Sequence, residues 1–182
     1  FLTMKKLFFF PLLFLSVTQA NVFQCKVYDV IDGDRFVCLD TQQQKVTILL
    51  ANVDAPELAQ AYGQQSKQVL SEWIKGKNIN FLAVNSELFC TREQNMDEKG
   101  WICADVGFEG YLTEPTISNP EQSINYQMIE QGHAWLAPSP VHLFGMTIYR
   151  KAEHDAREAQ RGLWANTDPV MPWVWRERNL SQ

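Results

Sequence analysis

The stretch "VIDGDRF" places two carboxylates, Asp32 and Asp34, on either side of one glycine, and "NVDAPE" adds Asp54 and Glu57. Carboxylate and main-chain carbonyl oxygens are the ligands that calcium prefers, and a carboxylate is also a common general base. Asp-Gly between β-prone runs is by itself a hairpin signal, and acidic turns are common on solvated surfaces. The pattern therefore supports either a plain hairpin turn or half of a metal site.

The elements that would position these acids follow from the hydrophobic pattern. Helical spacing predicts a helix that ends at Gly76, a short helix that Gly132 caps, and a third helix that ends at Gly162. β-prone runs predict strands at residues 21–31, 35–39, 45–53, 79–84 and 101–106. This order outlines a mainly β fold with two to three added helices (α+β), built on a five-stranded OB-fold barrel.

A meander of the first three strands would bring Asp34, at the start of the second strand, close to Asp54, at the end of the third. The stretch 107–123 contains Gly and Pro without any period, so we expect a long loop there. We divide the chain into a signal peptide, one OB-fold domain, and a Trp/Pro-rich tail that packs on the domain or extends from it. These three parts are residues 1–20, 21–166 and 167–182.

The composition favours a single globular domain with a tail. The chain has 182 residues, of which 46% are hydrophobic and 20% are charged, and its formal net charge is −5. General nucleic-acid binding depends on Lys and Arg that neutralise phosphates, and the sequence contains no basic run. The balance of charge therefore disfavours a general nucleic-acid-binding protein.

The first residues read as a targeting segment. Lys5 and Lys6 precede the apolar run "LFFFPLLFLSV", and "TQA" follows as a small-residue cleavage site. We expect a signal peptide over residues 1–20, with the start at Met4 or upstream of it, and no transmembrane segment after its removal. An uncleaved anchor is the alternative. A lipid anchor at Cys25 is not expected, because the residue before it is not small.

The four cysteines are typical of an exported protein with disulfides. Cys25 and Cys38 flank the Asp-Gly-Asp turn, and Cys90 and Cys103 flank a second stretch that is compatible with a hairpin. We favour the pairs Cys25–Cys38 and Cys90–Cys103. The other two connectivities and four reduced thiols stay open at this point. Zinc is disfavoured, because no Cys-x-x-Cys spacing occurs.

No other set of chemistry-bearing residues can be read from the sequence. The three histidines are scattered, and no Ser-His-Asp or Cys-His arrangement is evident: they are His133, His142 and His154. Four late tryptophans have the chemistry to stack on bases, but such residues more often form the core or anchor a tail. These four are Trp135, Trp164, Trp173 and Trp175.

A series of short motifs resembles the staphylococcal nuclease (thermonuclease) family. The motifs occur in the order "VIDGDRF", "LLANVDAPE", "AYGQQSK", "DEKGW", "IEQGHAWL" and "AREAQRGLWA". The resemblance covers residues 26–175, and the combination is specific although each piece alone is weak. It implies the OB-fold barrel with added helices, and an ancestral calcium-dependent hydrolysis of phosphodiester bonds in DNA and RNA.

The resemblance also implies roles for the acidic residues. Asp34 and Asp54 match the two calcium aspartates, and Ala55 matches the residue that offers its backbone carbonyl to calcium. Glu57 matches the general base towards the attacking water. Asp32 matches the aspartate that supports the calcium ligands from behind.

The chain departs from the family at its positive groups. The two arginines that bind the phosphate and stabilise its transition state fall at Leu49 and Trp101, and a phosphate-binding lysine falls at Glu98. The late tyrosines of the family have no counterpart in "AWLAPSP". Loss of one such group typically slows catalysis by ~10²–10³. Arg35 and Arg92 are the nearest substitutes, but strand alternation turns Arg35 away from Asp34, and Arg92 lies in a loop.

These departures lead to three hypotheses. The first is an exported, catalytically inactive domain that binds protein partners or acts as a structural subunit in the cell envelope, for example in a bacterial secretion apparatus. Such a protein would be periplasmic or extracellular, with any outer-membrane association made through protein partners. The alternative is a calcium-dependent endonuclease that acts on DNA and RNA. The third is a non-catalytic binder that calcium stabilises.

Overall fold

The computed structural model describes residues 22–84, 90, 101–108, 120–138 and 146–180. Several predicted features lie outside these residues: the signal peptide 1–20, Arg92, Glu98, His142 and residues 109–119 of the predicted loop.

The five-stranded barrel that the sequence predicts is present. The strands within the described residues are β1 (Val22–Val30), β2 (Arg35–Leu39), β3 (Lys45–Leu50), β4 (Val53–Asp54), β5 (Asn78–Ala83), β6 (Trp101–Phe108) and β7 (Trp135–Leu136). Five of them close into a ring in the order β1-β2-β3-β6-β5, in which β3 and β6 run parallel and all other neighbours are antiparallel.

Alternation along β2 shows how the sequence sets the barrel interior. Phe36 and Cys38 are fully buried, whereas Arg35 and Val37, which alternate with them, are only half-buried. This period of two is that of a strand with one face in the core. The alternation therefore directs every second side chain of β2 into the barrel and leaves Arg35 on the outer face.

The predicted third strand is shorter than the sequence suggested, because the chain leaves the barrel before Asp54. β3 ends at Leu50, and Asn52 then adopts a left-handed backbone conformation with φ of 62°. The two residues of β4 pair instead with β7, so that Asp54 lies opposite Trp135. This turn carries Asp54 to the mouth of the barrel.

Helices cover the barrel at several points. They are α1 (Gly63–Ile74), α2 (Ile124–Glu130), α3 (Met146–Glu158) and α4 (Pro172–Leu180), with 3-10 turns at Pro120–Gln122 and Gly162–Ala165. The sequence predicted α1 to α3 but not α4. α3 ends before the predicted Gly162, because Gln160 takes the left-handed conformation and Arg161 N–H donates to Ala156 at 2.9 Å.

Asn125 on α2 ties together the segments that lead into the site. Its side chain is fully buried, and its Oδ1 accepts a hydrogen bond from the N–H of Val106 at 2.9 Å. Its Nδ2 donates to the carbonyls of Ala51 at 2.9 Å and Ala104 at 3.0 Å. A buried amide that satisfies three main-chain groups fixes the end of β3 against β6 and α2.

Both predicted disulfides are present, Cys25–Cys38 and Cys90–Cys103. The first joins β1 to β2, and the second ties residue 90 to β6. Two such bonds are typical of proteins that fold in an oxidising compartment. Among the residues described here, no helix has the length and apolar character needed to span a bilayer.

The segment that contains α4 packs on the domain. The ring of Trp173 meets that of Trp135 edge to face at 5.9 Å, and Pro172 is buried. The side-chain amide of Gln60 donates to the carbonyl of Val170 at 2.5 Å. These contacts place α4 beside the mouth of the barrel at which Asp54 lies.

Candidate active site

The Asp-Gly-Asp turn is a buried, internally bonded structure. Asp32 is 1% exposed, and its Oδ1 accepts the N–H of Asp34 at 3.2 Å. A Cβ on Gly33 would lie 1.9 Å from Oγ of Ser66 and 2.7 Å from Cβ of Ala55. Only glycine fits there, so the turn is pressed against both α1 and the residue that follows Asp54.

The structure brings Asp34 and Asp54 together. Oδ2 of Asp34 accepts the N–H of Ala55 at 2.8 Å, across 21 positions of sequence. Asp34 is fully buried, and Asp54 is 2% exposed. Two adjacent, buried carboxylates are costly unless positive groups compensate them. The convergence that a meander predicts is therefore present, and it creates a strongly acidic mouth.

Arg176 from α4 binds both Asp54 and Glu57. Its guanidinium donates to the two carboxylate oxygens of Asp54 at 2.9 and 2.7 Å, and Nη1 also donates to Oε1 of Glu57 at 2.8 Å. A planar, two-pronged contact of this kind is the strongest geometry for an arginine–carboxylate pair. The side chains of Arg176 and Glu57 stay 22% and 18% exposed, so solvent reaches the outer side of the cluster.

Arg35 lies beside the position of a missing family arginine. In the β2–β3 ladder it pairs with Leu49, and paired residues point to the same face of a sheet. Alternation does turn Arg35 away from Asp34, but it turns Leu49 to that same outer face. The guanidinium of Arg35 then bonds to Oδ2 of Asp32 at 2.8 and 2.5 Å.

The two positions that match the family arginines carry apolar side chains. Leu49 is 3% exposed and pairs with Cys103 on β6. Trp101 is half-buried and opens β6 opposite Thr47. Neither position supplies a positive charge, so any cation for a phosphate must come from another part of the chain.

The charges of the cluster suit a divalent cation. Asp32 accepts from the guanidinium of Arg35, and Asp54 and Glu57 accept from that of Arg176. Asp34 accepts the N–H of Ala55, so the four carboxylates and two guanidiniums leave a formal charge of −2 when all are ionised. The donor set of two aspartates and a main-chain carbonyl is one of hard oxygens, which calcium prefers. A carboxylate oxygen accepts on two lone pairs, so Asp54 has the capacity to serve a guanidinium and a cation together. The residues present therefore fit such an ion.

A larger set of metal ligands is not found. Within the described ranges, no three His, Cys, Asp or Glu side chains converge as a ready-made metal centre. An ion here would depend on two aspartates, a main-chain oxygen and water.

A second polar cluster lies at α1 and is formed by Tyr62, Ser66 and His133. Ser66 donates to the carbonyl of His133 at 2.8 Å, and the Tyr62 hydroxyl meets Nδ1 of His133 at 3.0 Å. Burial lowers the pKa of His133 below its ordinary value and raises the pKa of Tyr62. Both groups are therefore neutral near pH 7. Their role is structural support of α1, against which the Asp-Gly-Asp turn packs.

Arg176 and Gln60 are the site residues that sequence reasoning missed. Gln60 accepts the N–H of Glu57 at 3.1 Å while it holds Val170, so it joins the acidic loop to the segment before α4. Arg176 is 122 positions from Asp54, and "VWRER" contains no local sign of a partner. The only available sign was Pro172, since proline is common in the first turn of a helix.

Comparison with known proteins gives the wider context. A family model described as "Staphylococcal nuclease homologue" matches residues 47–166. An "Uncharacterized endonuclease" of Haemophilus influenzae is 30% identical over 165 residues, which is 90% of this chain and 79% of the relative. A "Micrococcal nuclease" of Shigella flexneri is 28% identical over 173 residues, with 90% and 86% covered. "Protein ParB" of Escherichia coli is 28% identical over 162 residues, with 85% and 79% covered.

Proposed function

The chain belongs to the staphylococcal nuclease family, and on that premise we propose that it is an exported, calcium-dependent phosphodiesterase that cleaves DNA and RNA. The observation that carries the proposal is the bond between Asp34 and the N–H of Ala55, which holds both aspartates at one mouth with Glu57 beside them. Relatives named as endonucleases and the two disulfides support the activity and the export. The periplasm is the compartment we propose.

The chain's own residues have distinct tasks under this proposal. Calcium held by Asp34, Asp54 and the carbonyl of Ala55 would supply a Lewis acid that polarises the phosphate. Glu57 takes a proton from the attacking water. The oxygen of that water forms the new bond to phosphorus, and the P–O bond to the leaving group breaks. Arg176 and Gln60 fix the orientation of Glu57, the first through its carboxylate and the second through its main chain.

A second candidate function is the inactive domain. The apolar, buried Leu49 stands where the family has an arginine, and this observation favours a protein that has lost catalysis. Such a domain would bind protein partners or serve as a structural subunit in the cell envelope, for example in a secretion apparatus. If it retained calcium, the ion would raise its melting temperature without any cleavage.

One experiment separates the two functions. The purified chain is incubated with single-stranded DNA and with RNA, in calcium or in a chelator, beside Glu57→Gln. Glu158→Gln serves as the matched control, since Glu158 is an exposed glutamate on α3. Calcium-dependent cleavage that Glu57→Gln abolishes and Glu158→Gln retains supports the phosphodiesterase. Cleavage no greater than that of Glu57→Gln refutes it and favours the inactive domain.

A further inference from the structure

We propose that Arg176 is the phosphate-binding residue of this site, in place of the arginines that the family carries at the positions of Leu49 and Trp101. The inference rests on the proposed function and names the group that receives the substrate. The contacts of one guanidinium with both Asp54 and Glu57 carry it.

The position of Arg176 is suited to a ligand that enters from solvent. Asp54 is 2% exposed, whereas the side chain of Arg176 is 22% exposed, so the guanidinium forms the outer layer of the cluster. Solvent therefore reaches the guanidinium more readily than it reaches the carboxylate beneath it. A phosphate that approaches the mouth would meet this positive group next to the proposed metal aspartate and the proposed base.

The chemistry of the guanidinium matches a phosphodiester. Its planar fork matches two oxygens of either a carboxylate or a phosphate, and it stays charged at any relevant pH. In this structure the fork holds the two oxygens of Asp54. If Asp54 served a divalent cation instead, Nη1 and Nη2 would be available to two oxygens of a phosphate, while the second hydrogen of Nη1 keeps its bond to Glu57.

The helix that carries Arg176 is anchored independently of its guanidinium. Trp173 packs on Trp135, and Gln60 holds the carbonyl of Val170. A change of partner at Arg176 therefore needs only a movement of its side chain, while α4 stays in place. Because these contacts do not involve the guanidinium, we expect variants at Arg176 to fold.

The test compares Arg176→Gln and Arg176→Lys with Arg178→Gln. Arg178 is an exposed arginine on the same helix, so its variant loses the same charge outside the site. Affinity for a labelled, 5′-phosphorylated single-stranded oligonucleotide is measured by anisotropy in calcium, with each change placed on a Glu57→Gln background to prevent cleavage. Steady-state kcat and KM are measured with Glu57 intact.

Arg176→Gln is expected to weaken oligonucleotide binding by about tenfold to a hundredfold, the range for a lost hydrogen bond to a charged group. Arg176→Lys should recover part of that loss, and Arg178→Gln should bind as the parent does. Calcium stabilisation of the melting temperature should be equal or larger in Arg176→Gln, since a competing cation has been removed.

Two results would overturn the inference. Equal oligonucleotide affinity in Arg176→Gln and its parent would show that the phosphate does not use this group, and faster cleavage by Arg176→Gln would show that the arginine blocks the site. An intact chain that cleaves nothing refutes the proposed function, and the binding arm still decides the role of Arg176.

Discussion

Asn125 offers the sharpest test of how the fold holds the site. Its amide satisfies the N–H of Val106 and the carbonyls of Ala51 and Ala104, all inside the protein. In Asn125→Ala the carbonyl of Ala104 still accepts the N–H of Ala51 at 2.8 Å. The groups that lose this partner without such a replacement are the N–H of Val106 and the carbonyl of Ala51.

The expected cost follows from those two groups. Each buried polar group that is left unsatisfied costs about 1–3 kcal/mol, so the free energy of unfolding should fall by about 4 kcal/mol. That is a large share of the roughly 5–15 kcal/mol by which domains are stable. Urea unfolding followed by tryptophan fluorescence measures it. A loss below about 1 kcal/mol would refute the argument that this amide holds β3, β6 and α2 together.

The isosteric variant Asn125→Asp adds a pH signature. An ionised carboxylate would place an oxygen against the carbonyls of Ala51 and Ala104, so burial should raise its folded pKa above the unfolded value of about 3.9. A group whose pKa is higher in the folded chain than in the unfolded chain stabilises the fold fully at pH values below its unfolded pKa. This stabilisation is lost as the pH rises through its folded pKa. The deficit relative to the parent should therefore shrink as pH falls towards 4. A deficit that stays constant with pH would contradict this.

Three further predictions concern the support of the site. Burial lowers the pKa of His133, so the unfolded chain binds the proton more readily than the folded chain does. Stability should therefore be lost as pH falls below about 6.5. Melting temperatures measured between pH 5 and 8 should show a smaller decrease towards acid pH in His133→Gln. Gly33→Ala places a Cβ 1.9 Å from Oγ of Ser66 and should lower the free energy of unfolding by about 1–3 kcal/mol, measured in urea; an unchanged value would mean that α1 yields freely. Replacing Cys25 and Cys38 together by serine releases a loop with a sequence separation of 13 and should cost about 3 kcal/mol in the same assay, whereas no loss would count against loop entropy as the source.

The parts of the site that sequence predicted are those made by short-range structure. Asp32 and Asp34 belong to one hairpin turn, and Asp54 comes to them because β2 and β3 are neighbours in the meander. Cys25 and Cys38 flank the same turn, which is why the favoured pairing was correct. In each case a local pattern and one strand pairing determine the position.

The parts that sequence missed depend on distant or subtle determinants. Residues 45–53 are mostly apolar or β-branched, so their pattern predicts one continuous strand. The one sign that the chain leaves the barrel is Asn52, a residue type that tolerates the left-handed conformation. α4 was hidden by a composition rich in Trp and Pro. Arg176 reaches its partners only through the packing of that helix, which no periodicity in the sequence encodes.

The residual charge of the acidic mouth also affects how fast a polyanion can approach it. Before a divalent cation binds, the hydrogen-bonded cluster has a formal charge of −2, and the whole chain is negative as well. For ordinary nucleic-acid-binding proteins, added salt screens attraction and weakens association. Here it screens repulsion, over a Debye length of about 8 Å at physiological ionic strength. The encounter rate with nucleic acid should therefore rise, rather than fall, as salt is added to a low-ionic-strength buffer.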